Sequence, residues 1–201
     1  VLYDPPGTKV KRCLFSGIGA KKKIDMDVLR RFAGRAVQTA IKAKLRKVVI
    51  VAPDAAAIAA ESAEVIRAMA EGACLANHIF DKYKENSKNT PLKEIALMLP
   101  ARATRKEQTL IRRVEAVCQG TLLAREWVNT PANDKVPAQF AKMITAAAKD
   151  SGLRINVMGE AQLKKKRFGA LLCVAVGSSN PPKLVEMVYA PPKAQKTVVL
   201  V

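Results

Sequence analysis

Residues Leu122 to Ile144 read LLAREWVNTPANDKVPAQFAKMI. The stretch holds, in order, a helix end, a polar turn and a new helix start. Leu122, Leu123, Trp127 and Val128 form an apolar stripe at helical spacing. Thr130-Pro131 then stops the helix, because the residue before a proline is pushed out of the helical region. Asn133 and Asp134 suit a turn, since their side chains hydrogen-bond nearby backbone. Pro137 opens the next helix in its first turn, where its missing N–H costs little. Phe140, Met143, Ile144 and Ala147 then recur at helical spacing. Two readings fit: a hinge between two bodies, or an ordinary connection inside one domain.

Upstream, strands alternate with helices. Lys11 to Gly17 reads as a strand, closed by Gly17-Ile18-Gly19. That Gly-x-Gly lacks a third glycine and is followed by Lys21 to Lys23, so a dinucleotide loop is rejected and a solvated loop expected. Asp25 caps a helix over Met26 to Lys44, with Leu29, Phe32, Ala36, Val37, Ala40 and Ile41 on its apolar face. Arg30, Arg31, Arg35, Lys42 and Lys44 fall mostly on the other face. Lys47 to Ala52 is an apolar run expected as a buried strand. After a Pro53-Asp54 turn, Ala55 to Ile79 predicts one alanine-rich helix, in which Gly72 would permit close helix–sheet packing. Asp81 to Thr90 is a polar loop, and Glu94 to Leu99 a further strand. The alternation predicts an α/β layer domain over 1–103.

A long helix is expected over Arg105 to Val128, with Leu110, Ile111, Val114, Val117 and Leu122 on its apolar side and a bend marked by Gly120. Pro137 to Asp150 follows as a helix stopped by Ser151-Gly152. Arg154 to Met158 is a strand and Glu160 to Lys166 a short helix. Its closing Lys164-Lys165-Lys166-Arg167 run suits a helix C-terminus; a phosphate contact is the alternative. Ala170 to Val176 is a buried strand or a helix start, Leu184 to Tyr189 a strand, and Thr197 to Val201 the beginning of another.

Charge and cysteine usage narrow the classes. The 201 residues carry a formal charge of +18, and residues 1–50 hold 13 Lys/Arg against 3 Asp/Glu. Such a field attracts nucleic acid or acidic surfaces. Aromatics are only 4% of the chain, which disfavours a base-stacking platform. Cys13, Cys74, Cys118 and Cys173 are widely spaced in apolar settings, and no Cys-x-x-Cys occurs. They read as buried free thiols, with Cys13 the nearest to a reactive setting. His78 is the sole histidine; a general base or metal ligand there would need partners converging on it. Glu61 and Glu64 share a helical face among alanines and read as surface. No apolar run reaches the ~18 residues of a membrane helix. Val1-Leu2-Tyr3-Asp4-Pro5-Pro6 lacks a leader's basic-then-apolar pattern, and the absent initiator Met raises the expectation of processing or an incomplete chain.

Four stretches, in order, resemble the leucyl aminopeptidase (cytosol aminopeptidase) family. They are Phe15-Ser16-Gly17-Ile18-Gly19; Glu71-Gly72-Ala73 with Leu75-Ala76-Asn77 and Phe80-Asp81-Lys82-Tyr83-Lys84; Arg125 with Val128-Asn129-Thr130-Pro131-Ala132-Asn133-Asp134; and Gly169-Ala170-Leu171-Leu172 with Val176-Gly177-Ser178-Ser179-Asn180-Pro181-Pro182. The most specific are the Asn-Thr-Pro-x-Asn turn and the Gly-Ser-x-Asn-Pro-Pro loop. The resemblance implies a macro-domain-like N-terminal α/β layer domain over 1–103, lacking its first strands. A linker helix over 104–129 and the first elements of an α/β metallopeptidase domain over 130–201 follow. In the family the last strand leads to a Gly-Lys-Gly segment whose lysine, with an aspartate and further carboxylates, holds two divalent ions, zinc or manganese. None of those residues has a counterpart here, so no catalytic, cofactor-binding or metal-binding residue is assigned.

The resemblance implies a cytoplasmic or organellar-matrix enzyme that trims N-terminal residues from peptides and works as a homo-hexamer. This chain alone is expected to be an inactive scaffold without bound metal or membrane contact. The rival expectations are a basic DNA-binding accessory protein and a catalytically dead relative in a larger assembly.

Overall fold

The computed structural model of the chain describes residues 2–3, 12–86, 89–149 and 151–200. It comprises two compact units, residues 1–126 and 127–201, and the division falls inside the expected hinge segment.

In the first unit, β1 (Leu2–Tyr3) pairs antiparallel with β2 (Cys13–Leu14). The strand expected over Lys11 to Gly17 is thus shorter, and Lys11 lies outside the described residues. Helix α1 (Met26–Lys42) starts where its cap predicts: the Asp25 carboxylate accepts from the Val28 N–H at 2.7 Å. It ends in a Schellman turn, with Lys44 left-handed (φ 55°), Lys44 N–H on Ile41 O and Leu45 N–H on Ala40 O. Next come β3 (Lys47–Val51), α2 (Ser62–Ala76), β4 (Glu94–Met98) and α3 (Arg105–Asn129).

Strands β3 and β4 run parallel, with Val49 opposite Ala96 and Val51 opposite Met98. Their inward residues, Ile50 and Leu97 among them, meet Leu29, Val37, Val65 and Met69 of α1 and α2 in one core. The outward residues are bare: Val49 is 57% and Met98 55% exposed. So β3 is covered on one face only, which corrects the buried strand that its apolar run suggested.

The alanine-rich helix expected over Ala55 to Ile79 is two pieces. A 3₁₀ turn, Ala56–Ile58, hangs on Asp54, whose carboxylate accepts from the Ala56 N–H at 3.1 Å. Ala59 then turns left-handed (φ 53°) before α2 begins. Nothing in a run of good helix formers signals that break; tertiary packing of Ile58 and Ala60 onto the core overrides propensity. Gly72 does bring α2 close, but to α1 rather than to the sheet. A Cβ there would lie 2.1 Å from the Arg30 carbonyl oxygen.

Helix α3 runs without interruption through Gly120. It buries Val114 and Cys118 against Ala70, Cys74 and Leu75 of α2. Val117, expected on the apolar side, is exposed, because one residue's step around a helix turns a side chain by about 100°. The helix opens with a capping box. Thr104 Oγ1 accepts from the Glu107 N–H at 3.2 Å, and the Glu107 carboxylate accepts from the Thr104 N–H at 2.7 Å.

In the second unit, a 3₁₀ turn (Ala132–Asp134) leads to α4 (Pro137–Ala148), with Pro137 in its first turn. Ala141, Ile144 and Ala148 are buried; Ala147, expected inward, is exposed. Asp150 lies outside the described residues, and Gly152 turns left-handed (φ 72°). Strand β5 (Arg154–Met158) pairs antiparallel with β6 (Leu184–Val188). Between them lie α5 (Glu160–Lys165) and α6 (Gly169–Ala175). The Ala170 to Val176 segment is therefore a helix, and it buries no residue; Val174 is 89% exposed. No strand forms over Thr197 to Leu200: among the described residues no neighbour pairs with it, and a strand exists only through such pairing. Val201 lies outside the described residues.

Candidate functional site

Two of the stretches that carried the family resemblance hold helices and turns in place. Glu71 receives the Arg30 guanidinium at 2.7 Å across the α1–α2 contact, and Asp27 receives it at 2.6 Å. Arg30 was expected with the outer basic residues; it is instead half-buried and paired. The Glu71 hydrogen bond is the largest cause holding its guanidinium protonated. Asn77 closes α2 and clasps the segment before β4: its amide donates to Leu92 O at 3.0 Å and accepts from the Leu92 N–H at 2.7 Å. Arg125 donates to Leu75 O at 3.0 Å, near the C-terminal end of α2. Phe80 and Tyr83 contact each other as tilted rings, 5.8 Å between centroids.

In the second unit the turn is held by aromatic and cationic contacts. Trp127 meets Phe140 edge to face, with centroids 5.3 Å apart. The Lys135 ammonium donates to Trp127 O and sits 5.8 Å from the Phe140 ring centroid. Val128, read as part of the apolar stripe, is exposed, whereas Thr130 is buried.

The polar candidates do not converge. His78 is largely buried, its side chain 17% exposed; Nε2 makes no hydrogen bond and lies 3.6 Å from a Glu126 carboxylate oxygen. That is one carboxylate beside one imidazole, with no nucleophile. Glu61 and Glu64 lie at the start of α2 and are exposed, as expected. Among the described residues no group of three or more His, Cys, Asp or Glu could hold a metal ion. The donor set present therefore does not fit a divalent ion, let alone a pair of them.

The thiols differ from the expectation of four buried cysteines. All are free, but only Cys118 is buried; Cys13 and Cys74 are half-buried and Cys173 is exposed. Burial pushes the Cys74 thiol up to about 11 and raises that of Cys118 as well, so both stay protonated and unreactive near neutral pH.

Two clefts among the described residues have cationic side chains in their walls. One of about 670 Å³, between α4 and β5, is lined by Ala138, Ala141, Thr145, Ile155 and Val157, with lysines at its rim. It holds no acid–base pair. The other sets the Gly17-Ile18-Gly19 segment against Arg31 and Arg35 of α1. The Lys164 to Arg167 run ends α5, as helix-end complementarity predicts, and Lys164 pairs back to Glu160 at 2.7 Å.

Comparison with known proteins decides the family. Residues 1–87 match the N-terminal domain of the cytosol aminopeptidase family, and residues 122–201 match its catalytic domain. The chain belongs to the cytosol aminopeptidase family. It is 28% identical over 193 residues to a probable cytosol aminopeptidase of Persephonella marina, covering 96% of this chain and 39% of that protein. A Streptomyces griseus relative of the same description is 35% identical over 191 residues, covering 88% and 36%.

Among solved structures, bottromycin maturation enzyme BotP superposes with a TM-score of 0.82 at 28% identity, covering 96% of this chain and 41% of that one. A mutant of tomato leucine aminopeptidase superposes with a TM-score of 0.80 at 25% identity, covering 98% and 39%. BotP has also been solved in complex with Mn. The fold is accordingly the family's mixed α/β architecture: its N-terminal domain and the start of its catalytic domain. The chain spans about two-fifths of the length of these relatives. No described helix is long and apolar enough to cross a membrane.

Proposed function

We propose that this chain is the scaffold portion of a two-metal aminopeptidase: a macro-domain-like body over 1–103, a linker helix over 104–129 and the opening of the catalytic domain over 130–201. One observation carries the reading. The family-like residues make structural contacts: Glu71 pairs with Arg30, Gly72 admits the Arg30 carbonyl, Asn77 clasps Leu92 and Arg125 donates to Leu75 O. Their work is to hold a body in place.

In this reading the intact enzyme removes N-terminal residues from peptides, leucine among them, as a cytoplasmic homo-hexamer using zinc or manganese ions. The ions sit on residues other than those described, and when bound they activate water and polarise the peptide carbonyl. The chain by itself is inactive.

The test is mass spectrometry of the purified protein beside a leucine-anilide hydrolysis assay and metal analysis. Activity should accompany a polypeptide heavier than 21.8 kDa, carry bound divalent metal and vanish with chelator. A chelator-sensitive activity in material containing these residues alone would overturn the scaffold assignment.

A further inference from the structure

We propose that the cleft between the Gly17-Ile18-Gly19 segment and the outer face of α1 binds a phosphate group, with Arg31 and Arg35 as its cationic ligands. The cleft is about 340 Å³ and is lined by Gly17, Ile18, Gly19, Arg31, Phe32 and Arg35, with Val28 at its side. Arg31 and Arg35 stand four residues apart and so share one helix face.

The three arginines of α1 have different situations. Arg30 is neutralised by Asp27 and Glu71. Arg31 and Arg35 are exposed and, among the described residues, have no carboxylate within ion-pair distance. Two uncompensated guanidiniums on one wall repel each other unless an anion joins them.

The opposite wall is open backbone. Gly19 is left-handed (φ 92°), and among the described residues the backbone N–H groups of Gly17, Ile18 and Gly19 have no acceptor. A Cβ added at Gly17 or Gly19 would meet nothing within 4 Å, so the approach to this backbone is open. Successive backbone N–H groups without internal partners, one of them at a left-handed residue, are free to donate to an anion. Guanidiniums match phosphate oxygens two at a time. Two of them plus the backbone amides of residues 17–19 offer more charge and more donors than a single carboxylate can use, which selects a phosphate. The exposed Lys21 to Lys23 turn beside the cleft adds to the attracting field. This is not a dinucleotide site: a 3₁₀ turn, not a helix, follows the glycines, and α1 begins only at Met26.

The experiment titrates the full-length protein by calorimetry with inorganic phosphate, AMP and a short DNA duplex, in parallel with the Arg31→Gln/Arg35→Gln double variant. Wild type should bind at least one of the three, and the double variant should bind it at least about tenfold more weakly. Binding of phosphate and AMP identifies a monoester ligand; binding of DNA alone identifies backbone phosphate in the same cleft. Equal affinity in the double variant, or no binding of any probe by wild type, overturns the proposal. Hydrogen exchange on wild type gives a second readout that needs no variant: the ligand should protect the amides of residues 17–19, and unchanged exchange there overturns it too.

Discussion

The two units solve the same problem to different extents. In the first, α1 and α2 cross at a contact so close that Gly72 admits the Arg30 carbonyl, and a continuous core runs from Leu29 through Met69 to Ile50. In the second, α4 buries only Ala141, Ile144 and Ala148, α6 buries nothing, and Tyr189, Val198, Val199 and Leu200 stand in solvent. Apolar burial at roughly 25 cal/mol per Å² is the main stabilising term in a small domain. The first unit therefore carries its own stability on its helical side, and the second draws far less from the residues described.

The comparison breaks most readily at Gly72. Gly72→Val places a branched side chain on the Arg30 carbonyl and forces the two helices apart. It should destabilise the first unit by at least about 3 kcal/mol. Hydrogen exchange read segment by segment on the full-length protein should show protection lost in α1 and α2 and kept in α4 and β5. Uniform loss in both units would show that they do not fold separately.

A matched pair of truncations sharpens the same contrast. Leu29 and Leu163 are both fully buried, one in each unit. Leu29→Ala opens a hole in a core walled by two long helices, which cannot collapse, and should cost about 4–5 kcal/mol. Leu163→Ala acts in a six-residue helix with open surroundings that can close over the gap, and should cost about 2–3 kcal/mol. Chemical denaturation of both variants checks the order; equal costs would mean equally rigid surroundings.

The start of α3 gives a smaller effect with a pH signature. Thr104→Ala removes the cap hydroxyl and should cost about 1 kcal/mol in denaturation experiments. The Thr104 backbone N–H, then its hydroxyl, then the Ser62 hydroxyl hold the Glu107 carboxyl below its usual range. A carboxyl whose folded value is depressed contributes stability that is present above its unfolded value. That contribution is lost as pH falls through the depressed one. The gap between wild type and Thr104→Ala should therefore narrow on acidification, and a gap constant across that range would exclude the capping box as its source.

What could be read from the sequence divides along the same physical line. Helix α1 was legible because Asp25 is a local cap and its apolar residues recur every three or four positions. The turn at Thr130-Pro131 was legible because proline acts on its immediate neighbour. The Thr104-x-x-Glu107 box was equally local, and its pattern stood in the sequence unread. Features set by distant partners were not legible. Ala59 breaks a run of helix formers only because the core holds the residues on either side. Gly72 signals a close approach in the sequence, but only the fold shows that its partner is Arg30 of α1 and not the sheet. Arg31 and Arg35 look identical to Arg30 until Glu71 is seen to choose among them, and the same holds for the cleft they form.

The smallest expected effect lies in the second unit and runs the other way. Helix α5 ends in a Schellman turn, in which Phe168 N–H reaches Leu163 O and Arg167 N–H reaches Lys164 O, both at 3.0 Å. Arg167 occupies the left-handed position of that turn (φ 60°), where a side chain costs energy and glycine does not. Its charge complements the helix dipole there, a gain that solvent largely screens. Lys164 and Lys165 in the last turn already supply that complement. Relief of the strained backbone should win, offset in part by the greater freedom glycine gives the unfolded chain. Arg167→Gly should thus raise the stability of the second unit by about 0.5 kcal/mol, read as slower exchange of the α5 amides. The same substitution at Arg31 or Arg35, which lie within α1, should cost about 1 kcal/mol instead, because glycine in a helix interior loses backbone freedom with no strain to relieve. A loss of stability at Arg167→Gly would mean that the guanidinium, rather than the backbone, sets the end of α5.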